Sequence, residues 1–211
     1  MKKAMWMNLL IVLLEIPGFV LAIQYHGAGI FKFYTQDSNL ILMIAALLYF
    51  LFHFLHRKEE NYKIPEWLRI FKYVSTCLIT VTFMIVLLVL APMEAKNGWK
   101  AVLATIAGGS SFFHHFVCPI MAIVTYLFLE TEKKSSLKDN IIAIIPTFIY
   151  AIVTIILNVT KVLYGPYAFL HVYEQSVAMS VFWTVFILGT GYLFAFLIRK
   201  LARRSDTQEV N

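Results

Sequence analysis

Six stretches of this chain are apolar over the length that a bilayer demands, and this limits its possible folds more than any other feature. Hydrocarbon offers no water to an open backbone N–H or C=O, so a spanning segment must pair those groups internally. A helix of ~20 mainly apolar residues does so. The stretches cover about 4–23, 38–56, 71–93, 110–130, 140–158 and 176–198. They predict an all-α polytopic membrane protein, a six-transmembrane-helix bundle. Residues 1–201 then form one membrane domain and 202–211 a polar tail. With 60% hydrophobic and 14% charged residues, the chain is too apolar for a soluble core with a charged surface. The fourth stretch contains Gly108-Gly109-Ser110-Ser111, which can break a helix or start one, so 99–108 are read as an interfacial lead-in. Met1-Lys2-Lys3 before an apolar run, with Val20-Leu21-Ala22 at its end, resembles a signal peptide. The run is long for that role and carries Glu15, which predicts a retained first helix.

The formal net charge is +6, yet the basic residues are dispersed among the apolar stretches. That argues against a nucleic-acid partner and makes their placement a topology signal. Six spans put both termini on one side. There fall Lys2, Lys3, Arg57, Lys58, Lys63, Arg69, Lys72, Lys133, Lys134, Lys138, Arg199, Lys200, Arg203 and Arg204, which is 14 of the 18 basic residues. Lys32, Lys96, Lys100 and Lys161 fall on the other side. The bias predicts cytoplasmic termini in a multi-pass protein of the cell membrane. Cys77 and Cys118 lie inside apolar stretches, as small core residues do, and form no metal-binding pair. No cofactor or metal is implied.

This topology brings three polar clusters to the outer side. They are Phe33-Tyr34-Thr35-Gln36-Asp37-Ser38-Asn39, Ser110-Ser111-Phe112-Phe113-His114-His115, and Tyr164-Gly165-Pro166-Tyr167-Ala168-Phe169-Leu170-His171. Each has a plain structural reading. Asp37 or Ser38 suits the N-cap of helix two. Ser110 and Ser111 stand four residues before His114 and His115, at helical hydrogen-bonding distance. Tyr164 and Tyr167 suit an aromatic belt at the headgroups. Adjacent histidines in a membrane helix are uncommon, however, and polar groups there face a bundle interior or cavity. Glu15 is the one acid deep in a predicted span and must be protonated, paired or in contact with water. His53 and His56 sit beside Arg57 at the opposite end, where an interfacial role is expected.

The first cluster, the run His115-Phe116-Val117-Cys118-Pro119 and the run Tyr164 to Leu170 are similar in order and spacing to one known group. They resemble the androgen-induced and androgen-dependent TFPI-regulating multipass proteins, and most closely their uncharacterised bacterial relatives. The likeness extends from about Phe31 to the end of helix six. Animal members are threonine hydrolases that cleave fatty acid esters of hydroxy fatty acids with an intramembrane Thr and His. By position the resemblance implies Thr35 as nucleophile and His115 as base, with His114 the alternative when the animal spacing to the proline is used. After Thr35 the chain carries Gln36-Asp37-Ser38-Asn39 where the animal pattern is more apolar.

The chemistry suits these residue types. A threonine hydroxyl is a weak nucleophile until a base takes its proton, and histidine can both take and return one. On this reading Thr35 attacks an acyl ester, and Asn39, or the backbone of Gly108 or Gly109, faces the oxyanion. Asp37 or Glu15 orients the imidazole, while Ser111, Tyr167 and His171 complete the surroundings. The expected partners are membrane lipids, and the expected substrate is an amphipathic acyl ester. A transporter or small-molecule binding protein is the competing expectation, with Glu15 and the histidines on a polar path. It requires polar side chains through the whole depth of the bundle, whereas the sequence places them mostly at the outer rim. Metal binding by His114, His115, His171 and Asp37 is weaker, because adjacent helical side chains point about 100° apart.

Overall fold

The structure is a computed structural model describing residues 2–59, 62–130 and 135–202. Among these residues it is all-helical. The long helices are α1 (Lys2–His26), α2 (Tyr34–Leu55), α3 (Glu66–Ile85), α6 (Leu137–Val159) and α7 (Val177–Leu201). Two shorter helices, α4 (Trp99–Ala107) and α5 (Cys118–Phe128), lie between α3 and α6. Five helical segments are long and apolar enough to cross a membrane, or six if the bent α4–α5 pair counts as one. The predicted tail falls outside the described residues from 203 onward.

The helix ends follow local chemistry. Ser136 and Asp139 form a reciprocal capping box at the start of α6, and Ser176 caps α7. Gly109 adopts φ +56°, a left-handed backbone that favours glycine, and here α4 gives way to the next helix. That helix opens with a π turn over Phe112–Val117 and stands 75° from α4. The expected lead-in is therefore a separate helix. At α2 the expected cap is overturned: Phe33 takes the N-cap position without a side-chain cap bond, and the helix begins at Tyr34 rather than near 38.

α3 is the central helix. Of its spanning window 72% is buried, against 22% for α6 and 17% for α7, and it packs on α2, α5, α6 and α7. α1 completes the bundle against α2 and α5. Burial extends to basic residues in the first turns of α3. Arg69 is buried and bonds Glu66, Asp139 and Ser135. Lys72 is 1% exposed, with its Nζ 3.5 Å from Oε1 of the equally buried Glu130, which also accepts from Asn8 Nδ2 at 3.0 Å. Polar groups therefore occupy both ends of the bundle, not only the end carrying Thr35.

Removing one partner of a buried ion pair leaves the other charge uncompensated. Lys72→Met is expected to cost about 3–5 kcal/mol, read by denaturant titration of the purified protein. A loss well below ~1 kcal/mol would show that solvent reaches Glu130.

Candidate functional site

α1 supplies the acid of the site. Glu15 is fully buried, and its Oε2 lies 3.2 Å from Nε2 of the fully buried His114. Pro17 and Gly18 follow on the same helix, and Gly18 gives the imidazole its room. A Cβ at residue 18 would stand 2.3 Å from His114 Nε2 and 2.6 Å from Cδ2. Phe19 covers the ring from the side, with centroids 4.7 Å apart. On the partner strand of the site, the π turn sets which histidine points inward. Its wider winding breaks the i,i+4 alignment, so neither Ser110 nor Ser111 bonds the histidine four residues on. His114 enters the core, while His115 turns back and its Nδ1 meets the Thr105 carbonyl at 2.7 Å.

The first turns of α2 supply the hydroxyl. Because Phe33 provides no cap, the Thr35 N–H needs another acceptor, and it donates to the Tyr167 hydroxyl at 3.3 Å. Thr35 Oγ1 is 3.2 Å from that same phenol oxygen. Tyr167 therefore turns into the bundle and caps α2 instead of joining an exposed belt. Burial raises its phenol above the ordinary value, so it remains a neutral hydrogen-bonding group. Ser38 joins α2 to α3 through a 2.7 Å bond with Thr82.

Asn39 links the two halves. Its Nδ2 donates to the carbonyl of Thr35 at 2.7 Å and to that of His114 at 3.2 Å. These bonds commit its N–H groups to the backbone, and the Gly108 N–H is likewise committed to Ala104. Behind Thr35 lies a narrow apolar cavity, about 50 Å³, lined by Val81, Ile85, Phe169 and Trp183 with Thr82 and Tyr167 at its polar end.

Of the residues singled out by sequence, Glu15, His114, Asn39, Thr35 and Tyr167 form one connected chain of contacts. Asp37, His115, Ser111 and His171 lie outside it. Asp37 stands about 200° around α2 from Thr35. His171 bonds Tyr164, Glu174 and the Gly165 carbonyl, clamping the loop that carries Tyr167. Among the described residues no three His, Cys, Asp or Glu side chains gather closely enough to hold a metal. Tyr167 as the cap of α2, and the Gly18 recess, were invisible in the sequence. Only the tight spacing of Glu15, Pro17 and Gly18 hinted at a special segment. No family model, curated protein or solved structure matches the chain.

Gly18→Ala should expel the imidazole and cost about 1–3 kcal/mol, measured by thermal unfolding; unchanged stability would place His114 elsewhere. In the loop, the Tyr164 hydroxyl donates to Glu174 and holds that carboxyl below its ordinary value. Its contribution is complete above the unfolded value of about 4.3 and lost as pH falls through the lower folded value. The protection factors of the amides at 168–171, measured relative to intrinsic exchange at each pH, should therefore stay level from neutrality to about pH 5 and fall only in stronger acid.

Proposed function

We propose that this protein is an intramembrane lipid-ester hydrolase in which Thr35 is the nucleophile, His114 the base and Glu15 the group that orients the imidazole. The observation that carries the reading is the buried Glu15–His114 pair, joined to the Thr35 backbone through Asn39. The cost of burying an acid and an imidazole in so apolar a bundle favours a functional pair. His114 replaces His115 as base because His115 bonds the Thr105 carbonyl on the far side of the π turn.

In the free protein Thr35 Oγ1 is bonded to Tyr167. Turnover requires that bond to exchange for one with His114, a rearrangement of the kind that substrate drives in many sites. The Thr35 oxygen then attacks the ester carbonyl while His114 takes its proton. The C–O bond to the alcohol breaks as His114 returns the proton to the leaving oxygen. Water, deprotonated by the same imidazole, hydrolyses the acyl-Thr35 ester and regenerates the hydroxyl. The apolar cavity behind Thr35 supports an acyl chain as the group retained. The resemblance to multipass threonine hydrolases supports Thr35 as nucleophile, and supports His114 by the animal spacing to the proline, whereas the bacterial spacing implies His115. The proposed topology of six spans with cytoplasmic termini in the cell membrane agrees with the hydrolase reading, since it sets the site near the outer face, where an amphipathic ester meets water.

One observation favours the second reading, transport. The buried Lys72–Glu130–Asn8 group gives the bundle polar residues at both ends. The layer between, built from Ile11, Leu42, Ala46, Ile79 and Ala122, is apolar and closed, which favours hydrolysis.

The test is hydrolysis of a panel of lipid esters by the detergent-purified protein. Thr35→Ala and His114→Ala should each lower turnover by about 10²-fold or more, with Ser111→Ala and His115→Ala remaining within a few-fold of wild type. Well-folded wild type that is inactive across chain lengths and alcohols would overturn the hydrolase in favour of transport.

A further inference from the structure

α2 and α6 meet mainly through Tyr34, which touches Thr147 and Tyr150, and both helices pack on α3. Between them lies an open groove of about 720 Å³, within the range of small-ligand sites. Tyr34, Ile41, Leu78, Ile149 and Tyr150 are among its lining residues. The Tyr34 hydroxyl, 2.8 Å from Thr147 Oγ1, bridges the two helices. Asp37 is half-buried in the wall of this groove, on the side of α2 turned away from Thr35.

Asp37 differs from the other buried acids. Glu15 meets His114, Glu130 meets Lys72, and Asp139 meets Arg69. Among the described residues, Asp37 has neither an ion-pair partner nor a side-chain hydrogen bond. The N-terminal dipole of α2 offsets part of the cost of its charge, but a carboxylate facing an apolar groove still calls for a counter-charge. Lys32 does not provide it, because its Nζ sits over the Phe33 ring, 5.2 Å from the centroid. The Tyr34 and Tyr150 rings line the same groove, and aromatic rings attract cations.

We propose that the groove binds a single-chain cationic amphiphile, with its ammonium group against Asp37 and its alkyl chain along Ile41, Leu78 and Ile149. The lining selects this class, since it sets one unpaired carboxylate in a mostly apolar wall. A fatty acid would set its carboxylate against Asp37. A phosphocholine lipid would bring its phosphate close behind the ammonium and so set a second anion near the Asp37 carboxylate. The site is separate from Thr35, and the proposal stands whether or not the protein hydrolyses esters.

The test is a thermal-shift titration of the full chain, in a neutral maltoside detergent at neutral pH, with four probes of equal chain length: dodecylammonium, dodecanol, dodecanoate and dodecylphosphocholine. Dodecylammonium should give the largest saturable rise in Tm. Asp37→Asn should weaken it about tenfold or more, and Ile149→Trp, which fills the groove without altering charge, should also remove it. Thr35→Ala should leave it intact, which separates this site from the ester chemistry. Equal stabilisation by dodecanol or dodecanoate, stronger stabilisation by dodecylphosphocholine, or an unchanged titration in well-folded Asp37→Asn would overturn the proposal.

Discussion

A carboxyl group in the middle of an apolar helix cannot be left to the surrounding hydrocarbon, and this requirement organises the bundle. Glu15 is answered by His114, and the imidazole can stand there because residue 18 has no side chain. That recess fixes how α1 approaches the turn leading into α5. The π winding of that turn then decides that His114 faces inward and His115 outward. Asn39 carries the placement across to α2 by holding the carbonyls of both His114 and Thr35. The site is therefore held by contacts from α1, α2, the π turn before α5 and the loop that carries Tyr167.

The other polar end of the bundle has a different character. Lys72, Glu130 and Asn8 bind the starts of α1 and α3 to the end of α5, while Arg69 ties α3 to α6. Between the two ends runs an apolar layer that includes Ile11, Ile79 and Ala122. Buried polar groups joining several helices specify which helix meets which, because a mispaired arrangement leaves charges unanswered in an apolar interior. The arrangement gives the Lys72 group a role in assembly at the end of the bundle away from Thr35.

Hydropathy alone located the apolar helices, since the spanning rule acts on segments and not on contacts. It placed the starts and ends within a few residues in most cases. The departures were at α3, which begins at Glu66 rather than near 71, and at α2, which begins at Tyr34 rather than near 38, its Thr35 N–H satisfied by a phenol 132 positions away. Gly108-Gly109 announced a break, but only the backbone angle at Gly109 makes it a sharp bend. Arg69 and Lys72 were legible as basic residues near a helix start. Their burial was not, because their partners lie dozens of residues away. At the site, residue types pointed to Thr35 and a histidine pair. Which histidine meets an acid depends on winding, and which acid it meets depends on how α1 packs, neither of which is encoded locally.

The central claim is that the Thr35 oxygen becomes acylated with the help of His114. The direct measurement is to quench the purified protein during turnover of an activated dodecanoyl ester and map the acylated peptide by mass spectrometry. The account predicts a dodecanoyl group on Thr35, present in wild type and His115→Ala and absent from well-folded His114→Ala. An acyl group on another residue, or acylation of Thr35 that persists without His114, would contradict it.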